Sequence, residues 1–145
     1  MKNLFLLSVL IVSLSHAEFT RDSQTGIVTD ASRKMQWQDN NISAEMSWQD
    51  AIGTCESLSL GGHDDWRLPN INELRTIIDR SQDDPTVSPS FVYVGRNVLF
   101  SSYWSSTTDS NNAESAWVAG FWRGEIVRFE KHADMFVRCV RSMRQ

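Results

Sequence analysis

A chain of 145 residues with 14 Lys/Arg against 18 Asp/Glu carries a formal charge of −4. That length supports one domain with a sizeable core. The acidic balance excludes the overall basic footprint of a nucleic-acid-binding protein. Its two cysteines are too few for a thiolate zinc site.

Lys2 precedes an apolar run from Leu4 to Leu14, which Ser15-His16-Ala17 follows. A basic start, an apolar core and small residues at −3 and −1 read as a signal peptide over residues 1–17, cleaved after Ala17. The run is shorter than the ~20 residues a spanning helix needs. No later stretch is more apolar, so no transmembrane anchor is expected and the domain occupies 18–145. Export to the periplasm or beyond permits disulfides, so Cys55 and Cys139 read as one bridge. Charge is unevenly spread. From Trp117 to Gln145 six Arg/Lys stand against three acids, so a local basic face is compatible with an acidic whole.

Thr25 to Asp39 reads as a hairpin, with Asp30-Ala31-Ser32-Arg33 as its turn. Asn40 to Glu45 is a polar loop. Ser47 caps a first helix with Asp50 three residues on. Trp48, Ala51, Ile52, Cys55 and Leu58 share one face of it, and Gly61-Gly62 ends it. Asn70 caps a second helix, with Glu73 completing a capping box. Ile71, Leu74, Ile77 and Ile78 form its apolar stripe. Asp79 to Ser90 reads as an irregular loop, Leu99 to Ser106 as a strand and Thr107 to Glu114 as a polar loop. Ala116 to Phe121 and Ile126 to Glu130 form a hairpin around Trp122-Arg123-Gly124-Glu125. Met135 to Val140 reads as the last strand. In a regular strand Arg138 points away from the core-directed Cys139 and is exposed, whereas Arg141 turns inward.

Arg67 lies between Trp66 and Leu68, with carboxylates near at Asp64, Asp65 and Glu73. These residues read as an ion pair holding the loop onto the second helix, with the indoles as core. Trp122 at a hairpin tip beside Arg123 is the best exposed anchor, because Trp and Arg are the types enriched at binding hot spots. Arg123, Arg128 and Arg138 are the candidate basic face for an anionic ligand. No nucleophile–base pair can be named: His63 and His132 are far apart, and the serines 101, 102, 105 and 106 have no identifiable base. Catalysis, a cofactor and a metal are therefore not expected. The oxygen-rich segment from Asp79 to Asp84 reads as a solvated acidic loop rather than a cation site.

Asp65-Trp66-Arg67-Leu68-Pro69-Asn70, Asn72-Glu73-Leu74, Tyr103-Trp104-Ser105-Ser106-Thr107 and Val137-Arg138-Cys139-Val140-Arg141 together resemble one family. It is the bacterial domain named after the C-terminal domain of the Legionella collagen-like adhesin. Gly26-Ile27-Val28-Thr29-Asp30 and Met35-Gln36-Trp37-Gln38 extend the resemblance over nearly all of 18–145. The Trp66-Arg67-Leu68-Pro69 step is also similar to the broader C-type lectin-like class. The resemblance implies an α+β module with two helices packed on a twisted antiparallel sheet, closed by a disulfide from first helix to last strand. It implies a surface or periplasmic binding role. The expected partner is a sulfated or other anionic polysaccharide or a cell-surface protein, with a homo-oligomer as a further expectation. A structural role in the cell envelope through protein–protein contacts is the alternative. The prolines here lack the Glu-Pro-Asn context of calcium-dependent lectins, and formylglycine-generating relatives need cysteines that this chain does not have to spare.

Overall fold

The computed structural model describes residues 19–40, 44–83, 85–92 and 101–144. The expected signal peptide, residues 41–43 of the expected polar loop, Asp84, and Leu99 and Phe100 of an expected strand lie outside the described residues. The chain runs β1 (Phe19–Asp22), β2 (Ile27–Asp30), β3 (Met35–Gln38), β4 (Glu45–Met46), α1 (Trp48–Glu56), α2 (Ile71–Thr76), β5 (Ser102–Asp109), β6 (Asn112–Gly120), β7 (Glu125–Glu130), β8 (Met135–Phe136) and β9 (Val140–Ser142). This is an α+β chain. Its described strands form two sheets rather than the single antiparallel sheet expected. One sheet is ordered β1-β2-β3-β9, the other β4-β8-β5-β6-β7. The second is mixed, because β8 runs parallel to β5 at Tyr103 and Phe136.

Local chemistry sets the helix starts. Ser47 accepts from the Asp50 amide at 3.3 Å. Asn70 and Glu73 exchange side-chain-to-amide bonds of 2.9 and 2.8 Å, closing the expected capping box. The end of α1 differs from expectation. Ser57 caps it four residues before the glycines, and its hydroxyl donates to the Gly53 carbonyl at 2.8 Å. Gly61 and Gly62 instead make a positive-φ turn that closes the Leu60–His63 bridge. A Cβ at Gly61 would collide with Ile27. The expected polar loop over 107–114 is mostly strand: β5 reaches Asp109 and β6 begins at Asn112. Asp109 turns the chain by accepting from the Asn111 amide.

Strands β5 and β6 are buried on both faces. The paired Tyr103 and Ala119 join the core of α2 and the first sheet with Leu74, Ile77, Trp37 and Phe121. The next pair, Trp104 and Val118, joins the core under α1 with Ala51, Trp66, Leu68 and Cys55. The Cys55–Cys139 disulfide sits in that second core with Cα atoms 5.4 Å apart. It closes a separation of 84 positions, a loop length worth ~4–5 kcal/mol in the chain-entropy account.

The last segment departs most from expectation. Instead of one strand from Met135 to Val140, β8 belongs to one sheet and β9 to the other. Val137, Arg138 and Cys139 cross between them, all buried. A chain passing between two sheets has protein on every side, so alternation no longer predicts exposure. Arg138 is 0 % exposed, which corrects its place on a basic outer face. Its Nη1 donates to Asp39 Oδ1 at 2.8 Å and to the Gln38 carbonyl at 2.7 Å. Its guanidinium also lies 4.7 Å from the Phe91 ring centroid. Arg141, in β9, is buried and fastened to Asp65 at 2.6 Å.

Candidate functional site

The Trp66–Glu73 segment is built into the fold. Trp66 is buried, and its indole donates to the Leu60 carbonyl at 3.3 Å. Leu68 and Pro69 are buried, and the Pro69 carbonyl accepts from the Ser106 amide. Arg67 exchanges backbone bonds with Val140. Its guanidinium forks onto Glu73 at 2.8 and 2.7 Å. Burial pushes the Glu73 carboxyl up, but the Arg67 guanidinium and the Asn70 amide outweigh it and hold the group below the ordinary carboxylate range. Asp65, which the sequence offered as another partner for Arg67, goes to Arg141 instead. Tyr103 and Trp104 are fully buried, and the Trp104 indole donates to the Met46 carbonyl at 2.8 Å. Trp66, Leu68, Pro69, Tyr103 and Trp104 are therefore closed off, and only the polar members Asp65, Arg67, Asn70 and Glu73 reach solvent in part.

The turn after β6 is different. Phe121 anchors it from below, buried and 4.8 Å from the Tyr103 ring. The Phe121 carbonyl accepts from both the amide and the hydroxyl of Thr86. Gly124 has a φ of +68°, and a Cβ there would come within 2.9 Å of Ile78, so only glycine fits without strain. This leaves Trp122 half-buried and Arg123 exposed at the tip. Beyond the turn, β7 is the edge of its sheet, paired among the described strands only with β6. Its Val127 and Phe129 are 38 % and 39 % exposed. They continue, past the reach of α1, the face on which Val118 and Ala116 are buried.

A cleft of about 440 Å³ opens here. Trp122, Val127 and Phe129 give it apolar walls, Ser101 and Ser102 bring hydroxyls, and Gly120 leaves room above them. Arg123 and Arg128 border it, with Glu125 as the acid. Three of the four sequence candidates for ligand binding thus meet at one place, and Arg138 does not. Arg128 is partly spoken for: it reaches Asp109 at 3.1 Å and lies 5.3 Å from the Trp117 ring. Phe129, Val127 and the serines were missed. Period-two alternation from Glu125 groups Val127 with Phe129, but only the edge position of β7 shows that no described element covers this face.

Asp79, in the acidic segment, accepts from the amide and hydroxyl of Ser81. Among the described residues no three of His, Cys, Asp and Glu cluster as metal ligands. No described helix is long and apolar enough to cross a membrane.

Residues 26–141 match the family model of the Lcl C-terminal domain. No curated protein matches the chain. The match spans most of the sequence, and the chain belongs to the Lcl C-terminal domain family.

Proposed function

We propose that this member of the Lcl C-terminal domain family is an exported, non-catalytic binding module of C-type lectin-like architecture. Its ligand site is the cleft beside the β6–β7 turn. The observation that carries this is the convergence of Trp122, Arg123 and Phe129 on one opening. Rings stack on the apolar face of a sugar, the Ser102 hydroxyl lines the same opening, and a guanidinium pairs with an acidic substituent. That combination suits an anionic, for example sulfated, polysaccharide. The export reading is supported by the sequence from Lys2 to Ala17 and by the Cys55–Cys139 bond.

The test is binding of a sulfated oligosaccharide to the purified protein at low and high salt, beside Trp122→Ala and Arg123→Ala. Each variant is expected to lose roughly tenfold in affinity, one hot-spot contact's worth. Binding by the parent is expected to weaken with salt. Equal binding by parent and variants would remove the glycan from this cleft. A second reading, assembly through protein contacts in the cell envelope, is favoured by the exposed Val127 and Phe129 on an edge strand. Light scattering that shows a parent oligomer dissociated by Phe129→Glu would support it.

A further inference from the structure

Six described arginines, Arg21, Arg33, Arg67, Arg128, Arg138 and Arg141, each hold a carboxylate. Arg75, Arg80, Arg123 and Arg144 form no ion pair among the described residues. Three of those four line a single cleft of about 890 Å³. They come from three segments: Arg75 from the last turn of α2, Arg80 from the turn after it, and Arg123 from the β6–β7 tip. This happens in a chain with four more acids than bases. Among the described residues Glu125 is the only carboxylate on the cleft wall, and it pairs with none of the three.

Arg80 donates through Nη2 to the Gly124 carbonyl at 3.1 Å. That bond ties the guanidinium to the turn and leaves its other N–H groups available. Ile78 and Ile126 form an apolar floor, which keeps the local dielectric below that of open water and strengthens any charge pairing above it. Like charges gathered without partners are unfavourable, so the arrangement is best satisfied by an anion from outside.

We propose that the Arg75–Arg80–Arg123 cleft binds a tetrahedral oxyanion, a sulfate or phosphate group. Guanidinium forks match the oxygens of such a group two at a time. Three cations suit a dianion better than a single carboxylate. The site adjoins the aromatic cleft, with Arg123, Glu125 and Val127 common to both, but Arg75 and Arg80 line this one and not the other.

The test is a two-dimensional NMR titration of the disulfide-bonded protein with sodium sulfate and sodium phosphate. Sodium chloride at matched ionic strength is the control. Saturable shifts of the Arg75 and Arg80 Nε–H signals are expected with sulfate or phosphate and not with chloride. Arg75→Gln and Arg80→Gln should each weaken binding roughly tenfold, the loss of a charge-assisted contact, while Arg144→Gln, the same charge change outside the cleft, leaves it unchanged. A third arm uses a sulfated disaccharide. Tighter binding of the ester than of the free ion assigns the group to a larger ligand, and equal binding assigns it to a solute. Shifts that follow ionic strength alone overturn the proposal. So does full retention of affinity by Arg75→Gln, whose side chain makes no hydrogen bond among the described residues and whose melting temperature should match the parent.

Discussion

Arginines at the two ends of this domain live in opposite circumstances. Where the sheets meet, Arg138 is sealed from solvent against Asp39, which also receives Arg21 at 3.0 Å and the Val92 amide at 2.8 Å. Arg141 and Arg67 are fastened beside it to Asp65 and Glu73. At the β6–β7 end, Arg75, Arg80 and Arg123 face one cleft and pair with no carboxylate among the described residues. The residue type is the same, but the first group spends its charge inside the protein and the second presents it outward. Partnering, rather than position in the sequence, separates the arginines that hold the fold from those able to hold a ligand.

The comparison breaks most visibly at Arg138. Replacing it by alanine removes one partner of a fully buried pair and leaves Asp39, itself 0 % exposed, short of a cation. Such breaks cost roughly 3–5 kcal/mol. Denaturant unfolding of Arg138→Ala is expected to show a loss of that size. A loss below about 1 kcal/mol, within the range of exposed pairs, would mean that the interior charges are not structural.

That residue also marks where sequence reading fails. Both helix starts were legible, because a cap depends on neighbours three positions away: Ser47 with Asp50, Asn70 with Glu73. Cys55 was legible as a core position for the same local reason. Arg138 was misread because alternation assumes a strand with one open face, and Val137–Cys139 passes between two sheets. Asp39 gave no signal, since its described partners lie 18, 53 and 99 positions away. The Arg75–Arg80–Arg123 cleft was hidden differently. Two of its members sit in the acidic part of the chain, where net charge suggests nothing basic, and only folding brings Arg123 to them.

A middle-sized effect is expected at the Arg67–Glu73 fork. Arg67 is 41 % exposed in its side chain, so solvent screens the pair, and Arg67→Ala should lower stability by only about 1 kcal/mol. Acid provides a sharper probe. The folded Glu73 carboxyl titrates below its ordinary 4.5. At neutral pH it is ionised both folded and unfolded, and its stabilisation is complete. Below the unfolded value the unfolded chain takes up the proton first, and stabilisation fades as pH falls through the folded value. Melting temperature should therefore drop more steeply between roughly pH 5 and 3 for the parent than for Glu73→Gln. Asp30 and Asp65 are also held low, Asp30 against its burial by Ser32 and Arg33, Asp65 by Arg141, so the variant keeps some acid sensitivity. Parallel curves would show that the fork adds nothing.

The smallest effect, and the one that tests the outward group, has the opposite sign. Arg123 is exposed and holds no carboxylate among the described residues. Its removal takes no contact from the core, so Arg123→Ala should stay within about 0.5 kcal/mol of the parent. Within that range the direction carries the information. Repulsion from Arg75 and Arg80 acts across an open cleft, over distances that a Debye length of about 10 Å at 0.1 M salt leaves partly unscreened. Relieving it should raise the melting temperature slightly in dilute buffer. In 1 M salt, where the Debye length falls to about 3 Å, the gain should vanish. Sulfate should erase it at far lower concentration than chloride, because an ion bound among the three guanidiniums neutralises the repulsion directly in the parent. If Arg123→Ala is destabilised instead, and equally so at every salt concentration, the side chain belongs with the interior arginines and the division between the two ends fails.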